Sequence, residues 1–271
     1  MGLKLGPCYF GIPSANRKGD PVVDTLAYRL ETIHSHISDR CEIGVAIPQF
    51  LLSDGIALVA ANDLIEKTIG DVVEAFLWVK SESSETEIHE RLLSNDGLWI
   101  HPIILSATRS LISVELNITT YGCGAHRNHY TRAVNIDVEH SSELALADIL
   151  KDHDSAALFF SKYCESALKV HWDLAHVARW ELDLRGASTS QSLGFRNSHL
   201  VLIFAPHHVG PHNVGRTTVE IPFNAAYHFL TDRMIDLLSS EDRNGNVVEP
   251  SLANLTLVPI EGPRTNPQHP H

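Results

Sequence analysis

Between Ile56 and Val79 the apolar residues Leu58, Ala61, Ile65, Ile69, Val72, Phe76 and Val79 recur at steps of three and four. That period predicts an amphipathic helix, with Ser53 or Asp54 placed to cap its start. Between Ser110 and Tyr121 the period changes to two: Val114, Leu116 and Ile118 fall on one side, Glu115, Asn117 and Thr119 on the other. This is the pattern of a strand with one face buried and one face wet. Leu98–Leu105 is a mostly apolar run that pairs with it as a hairpin closed by Ala107–Arg109. Cys41–Phe50, Ala133–Glu139, Trp180–Leu184, Ser198–Phe204 and Thr218–Phe223 read as further strands. Pro48 places the first of these at a sheet edge or ends it. Leu26, Leu30 and Ile33 stand at i, i+4, i+7, which predicts a helix from about Asp20 to Ser38. Asp148–Val170 and Asn224–Leu238 also read as helices, and Ser81–Glu90 as a solvated link.

These elements lack the regular strand–helix alternation of a doubly wound sheet. They predict an α+β fold, a mostly antiparallel sheet with helices packed on one face. Three segments are expected: an N-terminal arm and helix over 1–40, a main domain over 41–238, and a polar, Pro/Asn-rich tail over 239–271. The main domain is divisible at about 120 into subdomains 41–120 and 121–238.

Composition narrows the function classes. Among 271 residues, 21 Lys and Arg against 33 Asp and Glu give a net charge of −12, which argues against a nucleic-acid partner. No apolar run of about 18 residues predicts a membrane span. Cys8, Cys41, Cys123 and Cys164 form no C-x-x-C pair and fit either reduced thiols or one or two bridges. The N-terminus carries no secretory h-region, so the chain reads as cytoplasmic as written, or as periplasmic or extracellular if a leader has been removed. There are 17 histidines, several of them clustered.

Two segments concentrate the candidate chemistry. In Tyr121–Asp137, Gly122 and Gly124 flank Cys123 just after a strand, so the backbone turns tightly there. The G-x-G has no third glycine and no following helix, which argues against a dinucleotide loop. In Phe204–Phe223, Pro206 and Pro211 with Gly210 and Gly215 punctuate a connection between strands. Proline restricts φ, so this connection is expected to be stiff and to lose little entropy on binding. The imidazoles of His126, His129, His207, His208 and His212 would form a zinc site if the two segments met in space. There is no G-x-S-x-G, P-loop or H-E-x-x-H, so the reading leans away from an enzyme and assigns no catalytic residue.

Together the two segments resemble the RsiV-like family, the C-terminal extracellular domain of lysozyme-sensing anti-sigma factors, also found beside peptidoglycan deacetylase domains. The resemblance rests on Tyr121-Gly122-Cys123-Gly124-Ala125-His126, on Asn135-Ile136-Asp137, and on Leu144-Ala145-Leu146-Ala147-Asp148-Ile149-Leu150. It continues through Pro206, Val209, Pro211, Gly215, Val219, Ile221 and Pro222, and covers about residues 40–235. Where the family has tyrosines in the recognition loop this chain has His207 and His212, and where the family has a glycine it has Cys123.

The resemblance implies that Gly122, Gly124, Ala125, His126, Asp137 and Asp148 form a structural motif. It also implies that Val209, Gly210, Pro211, His212 and Asn213 contact a partner. The expected function is non-enzymatic recognition of a protein, a lysozyme-like cell-wall hydrolase, or of peptidoglycan fragments, without a cofactor. Two alternatives stand beside it: a metal-binding protein or metal-dependent hydrolase using zinc on the His-rich loops, and a cytosolic toxin-neutralising partner.

Overall fold

A computed structural model gives the architecture and describes residues 26–38, 41–52, 55–81, 96–121, 127–171, 191–206 and 215–241. The first half builds a six-stranded sheet: β1 (Ala27–Ser38), β2 (Cys41–Leu51), β3 (Asp96–Ala107), β4 (Leu111–Tyr121), β5 (Asn128–Asp137) and β6 (Ser142–Glu143), in that spatial order. Every neighbouring pair is antiparallel except β2 and β3, which run parallel over Cys41–Val45 and Asp96–Ile100. A parallel pair needs a long crossover. The segment carrying helix α1 (Val59–Ser81) supplies it. Past Val45, β2 pairs with β1 alone, and Pro48 sits in that stretch.

The later part builds a three-stranded antiparallel sheet from β7 (Gln191–Arg196), β8 (His199–Phe204) and β9 (Thr217–Pro222). Helices α2 (Leu146–Ile149), α3 (His153–His171), α4 (Phe223–Ala226) and α5 (Asp232–Glu241) belong to this half. The layers follow from alternation along β8. Leu200, Leu202 and Phe204 join the core shared with α3 and α5, while Val201 and Ile203 pack on Leu105, with Ile103 and Ala133, of the first sheet. On the opposite face of the first sheet, Ile112, Val114, Leu116 and Ile118 meet Ala61, Ile65 and Ile69 of α1. The fold is α+β, and among the described residues each sheet carries helices on one face.

Several elements differ from the sequence expectation. Residues 27–38 form β1 rather than a helix; β-branched Thr32, Ile33 and Ile37 suit a strand, and the hairpin with β2 from Ala27↔Leu51 to Ser38↔Cys41 decides the matter. The long apolar helices expected over Asp148–Val170 and Asn224–Leu238 are both interrupted, and at the same place. Lys151 N–H donates to the Phe229 carbonyl at 2.8 Å and Thr231 N–H to the Ile149 carbonyl at 3.0 Å, so each segment breaks the other. Helix α1 begins at Val59, three residues later than Ile56, and β5 begins at Asn128, five residues before Ala133. Strand β7 lies outside the sequence expectation, because it holds only two apolar side chains, Leu193 and Phe195, too few to show a period. The strand expected at Trp180–Leu184 and the tail beyond residue 241 lie outside the described residues.

Candidate functional site

The connection between β8 and β9 is the segment on which recognition was expected to rest. Strand β8 runs into buried Phe204 and Ala205. On the far side Gly215 takes φ 73°, a left-handed conformation that only glycine adopts without strain, and nothing crowds the place its Cβ would occupy. The next residue, Arg216, donates from Nε and Nη2 to the two carboxylate oxygens of Glu115 on β4, 101 positions away. The Glu115 side chain is 0 % exposed and that of Arg216 is 9 % exposed. A two-pronged guanidinium–carboxylate pair of this kind fixes angle as well as distance, and neither charge is tolerable there alone. Arg216 Nη1 and Thr217 Oγ1 are also buried and make no hydrogen bond.

Sequence periodicity put Glu115 on the wet side of β4. The structure corrects this: the second sheet covers that side, and Glu115 is as buried as the aliphatic residues behind it. The same contact is bridged by polar side chains. Ser113 Oγ donates to Asn135 Oδ1 at 2.7 Å and accepts from Phe195 N–H at 3.0 Å, and Asn135 Nδ2 donates to the Leu193 carbonyl at 2.8 Å. Ser113 and Asn135 thus satisfy groups on the edge of β7 that no strand covers among the described residues. Between those two contacts, a Cβ on Gly194 would lie 2.4 Å from Leu105 Cδ1, so the edge approaches as closely as backbone allows.

A second polar node joins two residues of the expected structural motif. Asp137, wholly buried at the end of β5, accepts from Arg233 Nη2 at 2.7 Å and Nε at 3.1 Å, and from the His140 backbone N–H at 3.1 Å. His140 Nδ1 lies 2.9 Å from Asp137 Oδ2, the oxygen to which Arg233 donates, while the His140 N–H goes to Oδ1. Arg233 Nη1 stands 3.7 Å from Asp148 Oδ1, and Asp148 Oδ2 accepts the Ala145 N–H at 2.8 Å. Burial alone would raise the Asp137 carboxyl. The hydrogen bonds from Arg233 and from the His140 N–H and imidazole, with the imidazole's charge, outweigh it and hold the group below the ordinary carboxylate range. This node clamps α5 to the β5–β6 turn and to α2.

Of the other expected site residues, Gly122, Gly124, Ala125, His126, His207, His208, Val209, Gly210, Pro211, His212 and Asn213 lie outside the described residues. His129, on β5, has Nδ1 3.1 Å from Thr119 Oγ1. Among the described residues, no three His, Cys, Asp or Glu are grouped to hold a metal ion. Cys164, on the core-facing side of α3, is a free thiol, and burial pushes it far up and out of reach of thiolate chemistry. No helix among the described residues is long and apolar enough to cross a membrane.

Sequence reasoning missed Arg216 and Arg233, because a lone arginine in a loop or helix reads as a solvated charge until its buried partner is seen.

No family model matches the sequence, and no curated protein matches it. Solved structures do. A DUF3298 family protein of Pseudomonas aeruginosa superposes with a TM-score of 0.57 at 11 % identity, over 79 % of this chain and 98 % of that one. A DUF3298 family member of Bacteroides fragilis superposes with a TM-score of 0.54 at 12 % identity, over 80 % of this chain and 99 % of that one. The fold is similar to that of DUF3298 family proteins. At such identities the likeness is one of architecture alone.

Proposed function

We propose that this chain is a non-enzymatic binding domain that recognises a protein, a lysozyme-like cell-wall hydrolase, through the 207–214 connection. The observation that carries the reading is the Arg216–Glu115 pair, which fastens the end of that connection to the central strand of the molecule. A recognition segment loses less entropy on docking when its root is held than when its root is loose. Two further facts support the reading. DUF3298 proteins are related to RsiV-like domains, and the net charge of −12 suits a basic partner, because opposite charge speeds encounter.

The test is a calorimetric titration against purified basic muramidases. Binding is expected, and Pro211→Gly and His212→Ala are each expected to weaken it by about tenfold, or about 1.4 kcal/mol, while the melting temperature stays unchanged. With His207 and His212 in the interface, affinity also changes between about pH 5.5 and 8. Absence of binding to every muramidase tried ends the proposal.

A further inference from the structure

The two edges of the first sheet are unlike. At one stands β6, two residues long. At the other stands β1, which pairs with β2 in unbroken register from Ala27 to His36 and, among the described residues, with no other strand. An edge of that length offers a row of backbone donors and acceptors to another strand, and proteins close such rows with lysine, proline, bulges or a covering segment. Residues 27–36 hold no lysine, proline or glycine, and the irregularity in the β1–β2 pairing falls after them, between His36 and Ser38. Side chains are open there too. Ile33 is 52 % exposed, and the side chains of Arg29 and Glu31 are 37 % and 48 % exposed. Leu30 is partly exposed and joins none of the apolar cores.

The sequence of this edge is complementary to itself. A two-fold axis perpendicular to the sheet brings two copies of β1 together antiparallel and keeps each face of the sheet on its own side, so opposed residues are an even number apart in the chain. With the axis at Leu30, Arg29 meets the partner's Glu31 and Glu31 meets the partner's Arg29. Tyr28 meets the partner's Thr32, an aromatic against a β-branched side chain, and Ala27 meets the partner's Ile33. Opposite charges and aromatic–β-branched pairs are the combinations that stabilise neighbouring strands. Within one protomer Arg29 Nη2 already lies 3.1 Å from Glu31 Oε1, so the four side chains close an alternating square. Neighbouring registers lose this match. An axis at Glu31 sets two carboxylates against each other, an axis at Arg29 sets two guanidinium groups together, and an axis at Thr32 puts Glu31 opposite Ile33.

We propose that β1 is a self-association edge: two copies of this chain join by antiparallel β1–β1 pairing centred on Leu30, which merges their first sheets into one. A contact that uses the same patch on both copies closes on itself, so assembly stops at two. Main-chain hydrogen bonds supply the affinity of such strand addition, and the opposed side chains set its register. One pair of strands buries less than the roughly 1,200 Å² of a standard interface, so the dimer is reversible, with a dissociation constant in the micromolar range or weaker. A foreign strand would use the same backbone row without the reciprocal charges. The test of this inference reads mass and involves no muramidase.

The experiment is sedimentation equilibrium of the full chain over about 10–500 µM, where a monomer–dimer equilibrium is expected. Glu31→Arg and Arg29→Glu each set like charges opposite one another twice across the axis and are each expected to weaken dimerisation by about tenfold. The exchange of Arg29→Glu together with Glu31→Arg rebuilds both pairs and is expected to return the dissociation constant to within about threefold of wild type. Leu30→Cys is expected to cross-link two copies under mild oxidation, because directly opposed Cα atoms stand about 4.5–5.5 Å apart, within disulfide reach. Wild type under the same oxidant is the control for the cysteines already present. The proposal is overturned if the chain stays monomeric across the range, if the charge exchange dimerises as weakly as the single changes, or if a dimer forms that none of these changes affects. It is also overturned if Leu30→Cys bridges within one copy to Cys8, which would put the chain's own first residues on this edge.

Discussion

The two faces of β4 are buried alike and built from opposite chemistry. Towards α1 the strand presents Ile112, Val114, Leu116 and Ile118, all aliphatic. Towards the second sheet it presents Leu111, Ser113 and Glu115, each 0 % exposed. Apolar contact has no preferred direction, so the α1 face fixes that α1 packs there but leaves its angle to side-chain shape. The other face works through partners that admit one geometry: Ser113 to Phe195, Asn135 to Leu193, Glu115 to Arg216. The comparison teaches that position is set on the polar side. The register of the second sheet, and with it the start of β9, is defined by hydrogen bonds, while adhesion comes from the aliphatic residues around them.

That contrast is most directly broken at Arg216. Arg216→Ala leaves the Glu115 carboxylate buried without a partner and is expected to cost about 3–5 kcal/mol in urea unfolding. The double change Glu115→Leu with Arg216→Met is expected to recover most of that loss, because an apolar pair of similar volume needs no compensation. If the ion pair sets orientation, the double variant is stable yet binds its partner less well. A loss on Arg216→Ala no larger than that of a surface charge would refute the division of labour between the faces.

Next in size is Gly194→Ala. Its Cβ meets the Leu105 Cδ1 methyl and the Ser113 hydroxyl, which must shift to admit it, at about 1–3 kcal/mol by thermal melting. On the aliphatic face, Ile112→Val removes one methylene and is expected to cost about 0.5–1.5 kcal/mol, with no change at the β8–β9 end.

The smallest effect is one of acidity. The Asp137 carboxyl is held below its unfolded value, so its contribution is complete above about pH 4 and is lost as pH falls through the folded value. Unfolding midpoints followed from neutral to about pH 3 should fall at the acid end, and Asp137→Asn should flatten part of that fall.

The aliphatic side of this comparison was legible in the sequence and the polar side was not. The period of α1 and the alternation of β4 are local, so Ile65, Ile69, Val114 and Leu116 declared their burial directly. Glu115 carried the same alternation but the opposite meaning, because periodicity cannot tell a face open to water from a face covered by a second polar-edged sheet. Leu26, Leu30 and Ile33 matched a helical spacing over too few residues to outweigh β-pairing with a neighbouring strand. The two interrupted helices failed for a related reason: the backbone bonds that break them join Ile149–Lys151 to Phe229–Thr231, far apart in the chain. Of the expected structural motif, Asp137 and Asp148 do come together, but on Arg233, whose place among the polar residues of a short helix marked nothing.

The order in which these partners occur along the chain has a consequence for biosynthesis. Leu193, Phe195, Arg216 and Arg233 all follow residue 190, whereas Ser113, Glu115, Asn135 and Asp137 all precede 140. While the ribosome is still translating the last third, the nascent first sheet can already close on α1 and keep two carboxyl groups and two amide or hydroxyl groups facing water. The half-made protein thus shows water a charged surface where a sandwich of two aliphatic sheets would show grease. That surface dries only when its cognate strands emerge from the exit tunnel.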